Sequence, residues 1–135
     1  LAQMLGRVAA STGDVETDKL LAAARKKIAL PKPDERQDAL EKLWDAFERI
    51  KTLGEGGDKR KKSENLVSTI AGGKTKIHDV INIEMKSITE IGNNFRIRHS
   101  EVGKEIISQQ SHVDYLFMRM FALVIIMVQA IKRTQ

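Results

Sequence analysis

The chain is 135 residues long, 41% hydrophobic and 30% charged, with two prolines and no cysteine. That length holds one domain with a real core and not two comfortable ones, the composition is that of a folded globular chain, and the missing cysteine excludes disulfides and thiolate metal sites. A net charge of +5 and a pI near 9.6 favour a polyanionic partner over a cationic one. The chain starts on Leu1, so it reads as a single helical domain over 1–135 that is either a fragment or one domain of a longer protein.

The opening Leu1, Met4, Leu5 and Val8 recur at helical spacing up to the Ser11-Thr12-Gly13-Asp14 break. A second helix is predicted from about Val15 to Ala29, capped by Asp14 or Thr17, with Leu20, Leu21, Ala24 and Ile28 inward. Pro31-Lys32-Pro33 ends it. The next helix has Asp34 at the N-cap, Glu35 and Asp38 in its first turns, and a stripe of Leu40, Leu43, Trp44, Phe47, Ile50 and Leu53 at spacings of three and four. Trp44 and Phe47 read as core, and Asp38–Lys42 and Asp45–Arg49 can pair across one turn on the wet face.

The stretch from Gly54 to Lys62 reads as a loop with a basic end, because four adjacent cations, Lys59, Arg60, Lys61 and Lys62, repel one another and favour solvent. As a functional element this run would be a phosphate-contacting arm and would make binding salt-dependent. Ser63 is predicted to cap a short helix carrying Leu66, Val67 and Ile70, closed by Gly72-Gly73. The Gly72-Gly73-Lys74-Thr75 ending is not a nucleotide-phosphate loop, since no glycine stands at position 68 and no strand precedes it. No cofactor is implied.

A helix from about Lys74 to Ile91 should bury Ile77, Val80, Ile81, Met85, Ile88 and Ile91 and turn Lys76, Asn82, Lys86 and Glu90 outward, with Gly92 ending it in the left-handed conformation. A short helix capped by Ser100 could follow to Gln110. The last helix, about His112 to Lys132, is apolar nearly all round and should be the central strut. Its run from Tyr115 to Ile131 is about 17 residues, at the lower limit for crossing a bilayer, and carries Arg119 and Gln129, so it reads as a buried core helix and not a membrane span. Helices of these lengths with short connections make an all-α, up-and-down bundle of four to five helices. No signal peptide is visible, and a cytoplasmic location is expected.

The densest chemistry lies between Asn93 and Glu101. Asn93 and Asn94 can donate to phosphate oxygens or orient an imidazole. Arg96 and Arg98 offer planar, permanent donors suited to phosphate. His99 can give or take a proton near neutral pH, and Glu101 can pair with a guanidinium or hold the imidazole in one tautomer. An acid/base beside phosphate clamps is what metal-independent RNA cleavage needs, in which the ribose 2′-hydroxyl attacks its own phosphate. The structural reading of the same residues is a capped corner, with Arg-Ile-Arg-His alternating as surface chain does. With only His78, His99 and His112, dispersed, and no Cys, no zinc site is expected.

Gly-Asn-Asn-Phe-Arg-Ile-Arg-His-Ser-Glu, from Gly92 to Glu101, followed by Asp114-Tyr115-Leu116-Phe117-Met118-Arg119, resembles the HEPN superfamily (higher eukaryotes and prokaryotes nucleotide-binding domains), especially bacterial abortive-infection proteins. The resemblance would cover most of the chain and implies a four- or five-helix bundle, a homodimer, RNA as partner, and metal-independent endoribonuclease chemistry in antiviral defence or a toxin system. It makes His99 the acid/base, Arg98 and Arg96 the phosphate clamps, Asn94 and Asn93 orienting donors, and Glu101 the partner that fixes them. The family motif sets an arginine ahead of the histidine with four to six residues between them. Here those positions before His99 hold Asn94, Asn93 and Gly92. Either the role passes to Arg98 or Arg96, or the domain keeps binding and dimerisation without cutting. The rival is a non-catalytic helical module for dimerisation or docking within a larger protein.

Overall fold

The first helix visible in the structure, a computed structural model that describes residues 12–95, 97–98 and 101–134, begins where its side chains can satisfy its own free N–H groups. Asp14 caps α1 (Val15–Ile28), accepting from Thr17 N at 3.0 Å and Thr17 Oγ1 at 2.6 Å. Glu16 and Asp18 open α1, and Arg25, Lys26 and Lys27 close it, so charge at both ends complements the helix dipole. The expected amphipathic turns at Leu1–Val8 lie outside the described residues.

α2 (Pro33–Ile50) starts on a proline, whose fixed φ and missing N–H suit the first helical position. Asp34, expected as the cap, instead lies inside the first turn, and Lys32 at the cap makes no side-chain bond. The apolar stripe of α2 is buried throughout: Ala39, Leu40, Leu43, Trp44, Ala46, Phe47 and Ile50. Asp38 pairs with Lys42 at 3.7 Å and with Lys27 of α1 at 2.5 Å. Asp45 and Arg49 do not pair with each other. Arg49 reaches back to Asp14 at 2.5 Å, tying the C-terminal end of α2 to the N-cap of α1.

α3 (Lys59–Ala71) and α4 (Thr75–Asn94) form a helical hairpin, with Gly72 in the left-handed conformation ending α3. α5 (Gln110–Thr134) packs along α2 and is also met by α3 and, more sparsely, by α4. Val113, Phe117, Met120, Val124, Met127, Val128 and Ile131 of α5 are all buried, and Phe117 stacks on Phe121 at 5.6 Å. The described residues form an all-α bundle of five helices and no strand; a lone bridge joins Phe95 to Glu105. α5 is the one helix among the described residues that is long and apolar enough to cross a membrane, and here it is the central, mostly buried strut of the core.

Further expectations are corrected. The basic run Lys59–Lys62 is not a loop but the first turn of α3, capped by Asp58 and not by Ser63: Asp58 Oδ1 accepts from Lys61 N at 2.8 Å. Residues 101–109 contain a turn, with Gly103 at φ +91°, in place of the helix expected up to Gln110. Gly92 does not end α4, which runs two residues further, to Asn94, with Gly92 buried inside it. A Cβ at position 92 would sit 2.0 Å from Cη2 of Trp44, so this glycine is demanded by close approach and not by a left-handed φ. The N-terminal half of α4 also stands away from the core, leaving Ile77 and Val80, expected inside, exposed.

Gly92→Ala should destabilise the fold by about 1–3 kcal/mol through overpacking, against a helix-propensity gain of up to ~1 kcal/mol. Thermal melts should show the loss, and Trp44→Leu in the Gly92→Ala background should cost less than Trp44→Leu alone. A Gly92→Ala protein more stable than the parent would contradict this packing. The Arg49 guanidinium, with Thr17, holds the Asp14 carboxyl well below the usual carboxylate range. A depressed folded-state pKa stabilises above the unfolded value of about 3.9 and loses that contribution as pH falls below it. Asp14→Ala should therefore cost about 1 kcal/mol at pH 7, and the gap from the parent, followed by denaturant melts, should narrow from about pH 4 downward.

Candidate functional site

The candidate site has two parts joined by one face of α4. The first is the corner after α4, where Phe95 packs partly on the core and Ile97 is fully buried, so Arg98 is turned outward. The Arg98 guanidinium grips Asp45 of α2, through Nε at 2.8 Å and again through Nη2. Among the described residues, Glu101 makes no ion pair with a guanidinium. Its Oε1 accepts from the backbone N–H of Arg98 at 3.1 Å, and its Oε2 takes the Lys104 ammonium at 2.5 Å. That ammonium, with the Arg98 N–H, holds the Glu101 carboxyl below its ordinary range. Lys104 also donates to the carbonyl of Gly92 at 3.3 Å, a cation placed where the α4 dipole is negative. Asn93 and Asn94 are exposed on the last turn of α4, and the Asn94 carbonyl accepts from Glu105 N at 3.2 Å. His99 and Arg96 lie outside the described residues.

The second part is a groove of about 1170 Å³ between α3 and α4. Lys51, Lys59, Arg60 and Lys61 line its α3 side, and His78, Asn82, Lys86, Thr89 and Glu90 its α4 side. The first turn of α3 runs against its own dipole, because cations at a helix N-terminus are unfavourable by some 0.3–1 kcal/mol each on an exposed surface. Asp58 offsets part of that cost as the cap, and Lys59–Glu48 (2.9 Å) and Arg60–Glu64 (3.1 Å) offset more. Lys61, Lys62 and Lys86 make no ion pair among the described residues. Among the described residues no Phe, Tyr or Trp lines the groove and His78 offers its one small ring, so the chemistry on offer is chiefly to phosphate.

Helical spacing links the parts. Asn82, Lys86 and Glu90 follow one another at i, i+4, and Asn94 stands one turn beyond Glu90 as Asn93 does beyond Thr89. From Asn82 to Asn94 the stripe spans about 18 Å at 1.5 Å per residue. The basic run and the polar corner, some 30 residues apart in sequence, therefore lie at the side and end of one track. Sequence reasoning assigned no role to Lys51, Lys86, Asn82, Thr89 or Lys104. The signal for most of them was the polar stripe on α4 pointing towards the corner.

Among the described residues, no group of three or more His, Asp and Glu side chains is arranged to hold a metal ion. Compared with family models, characterised proteins and solved structures, the chain matches none.

Arg98 is 44% exposed, and an ion pair at such a position contributes little to folding. Arg98→Ala should lower the stability by no more than about 1 kcal/mol, and a double-mutant cycle with Asp45→Ala should give a coupling of the same size or less. A loss of many degrees in the melting temperature of Arg98→Ala would instead mark the corner as architecture.

Proposed function

We infer that this chain is an RNA-binding helical domain of HEPN type, acting in the cytoplasm in antiviral defence or a toxin system. Its chemistry would be metal-independent endoribonuclease cleavage at the corner. The observation that carries the reading is the continuous polar track along α4, with a cation-rich groove on its flank and the Asn93–Glu101 corner at its end. A sugar-phosphate backbone lying along α4 would meet Lys59, Arg60 and Lys61 from the side and reach the corner with one phosphodiester beside Arg98.

In that arrangement His99 transfers the proton of the 2′-hydroxyl or of the leaving oxygen. Arg98, with Arg96, neutralises the charge that builds on the phosphate. Arg98 already holds a carboxylate, Asp45, so gripping phosphate means sharing or exchanging that partner. Asn93 and Asn94 orient the scissile link, and Glu101 positions the Arg98 backbone and Lys104.

A second reading, a non-catalytic module for dimerisation or docking, is supported by a different surface. Ile77, Val80 and Ile83 of α4 and Tyr115 and Met118 of α5 are exposed, Val80 at 60%, around the Arg119–Glu84 ion pair of 2.6 Å. An apolar patch of this kind suits a second copy of the chain. The two readings coexist if a homodimer brings two corners together, and they part on cleavage.

Purified protein incubated with RNA in excess chelator should cleave it, leaving 2′,3′-cyclic phosphate ends. His99→Ala should cut at least about a hundredfold more slowly while still binding. Equal cleavage by both proteins removes His99 from the mechanism, and binding without cleavage by the parent leaves the non-catalytic reading.

A further inference from the structure

Where the C-terminal end of α2 meets the groove, two ammonium groups from different elements converge on one carboxylate. Glu48 Oε1 accepts from Lys51 Nζ at 3.0 Å, and Glu48 Oε2 accepts from Lys59 Nζ at 2.9 Å. Lys51 is held firmly. Its side chain is only 8% exposed, its ammonium lies 4.7 Å from the centre of the Phe47 ring, and it also donates to Thr89 Oγ1 at 3.4 Å. Burial pushes the Lys51 ammonium below its usual range, whereas Glu48 counters by favouring the charge. Burial likewise works against a charged Glu48, but Lys59 and Lys51 outweigh it and hold the carboxyl below the ordinary range.

A carboxylate that spreads its two oxygens between two cations has the same demand for donors as the two non-bridging oxygens of a phosphodiester. Both lysines line the groove, and Lys59 is more than half exposed, so a ligand entering between α3 and α4 meets this cluster. We propose that Lys51 and Lys59 form a phosphate seat at the end of the α3–α4 groove, that Glu48 fills it in the free protein, and that a phosphodiester of single-stranded nucleic acid displaces Glu48 on binding. The inference rests on the proposed function for its ligand class alone. Thr89, whose hydroxyl donates to the Met85 carbonyl at 2.8 Å, stays behind as an acceptor that keeps the Lys51 ammonium in place, and Glu48, still partly exposed, swings towards water. The one ring against the seat, Phe47, is fully buried and closed to bases, so the seat reads the backbone, and RNA and DNA strands of one sequence share it. Glu48 thereby sets a threshold: weak or short polyanions do not displace it.

The test is fluorescence anisotropy with a labelled 12-nucleotide single-stranded RNA, and with DNA of the same sequence, over a salt series. Glu48→Gln should tighten binding of both strands roughly three- to tenfold, the net worth of one ordinary hydrogen bond. It should also steepen the salt slope by about 0.7, one further phosphate on a single strand. Glu16→Gln, the same charge change at the start of α1, should do neither. Lys59→Gln, at a side chain more than half exposed, should weaken binding several-fold and cancel the gain in the Glu48→Gln background. Tightening by Glu16→Gln equal to that by Glu48→Gln, or a gain that survives Lys59→Gln, overturns the seat. Parent protein that binds RNA while both groove variants leave affinity and slope unchanged overturns the seat and leaves the RNA-binding reading standing. If neither strand binds the parent or Glu48→Gln, both fall.

Discussion

The contact of α4 with the indole of Trp44 at Gly92 is the constraint on which the site depends. A helix can approach a buried indole this closely only where it has no side chain, and no other residue would let α4 run past Trp44 to Asn94. The consequences follow along both helices. Asp45, next to Trp44, comes within reach of Arg98, and Lys104 comes within reach of the Gly92 carbonyl. The last turn of α4 carries its two asparagines to the edge of α2, so the corner is held by α2, by its own Glu101–Lys104 pair and by buried Ile97. Move the helix out by the width of a methyl group and each of these contacts lengthens.

The electrostatics around the groove are arranged against the local interest of α3. A helix that starts Lys-Arg-Lys-Lys gives up dipole complementarity, and natural sequences tend to break such a local rule where function needs the charge. Here the cost is offset by Asp58, Glu48 and Glu64, and the result is a wall of ammonium and guanidinium groups facing a polar stripe. At the corner, by contrast, each described cation has its own carboxylate: Arg98 with Asp45 and Lys104 with Glu101. The groove thus offers long-range attraction, and the corner offers ordered, partly neutralised donors. That division suits a ligand first drawn in by its charge and then positioned at one link.

Much of the bundle was legible in the sequence because its signals are local. Asp14 before a 3.6-residue apolar pattern, Pro31-Lys32-Pro33 after it, and Gly72 after another mark helix ends through chemistry that needs no tertiary partner. The stripe of Leu40, Leu43, Trp44, Phe47 and Ile50 has one sensible place to go, and it is buried. Gly92 misled for an equally physical reason: a glycine after an apolar stripe reads as a terminator, and only the Trp44 ring, nearly 50 residues away in sequence, makes it an interior residue. Lys59–Lys62 read as loop because repulsion among cations is visible in sequence, whereas the Glu48 that relieves it is not. Ile77 and Val80 kept the period of a core helix although the start of α4 leaves the core, since periodicity reports a face and not what covers it. At the candidate site, the types of group in the corner were legible, but the partners of Arg98 and Glu101 were not, nor was the joining of corner and basic run along α4.

The most direct measurement is an NMR titration of isotope-labelled protein with a short single-stranded RNA, following backbone and side-chain signals by residue. Shifts running from Lys59 to Lys61 and along Asn82, Lys86 and Asn93 into the His99 imidazole are expected, with α1 silent. Shifts confined to the apolar patch around Val80 and Tyr115, or spread evenly over every exposed lysine, would contradict a track that leads phosphate from groove to corner.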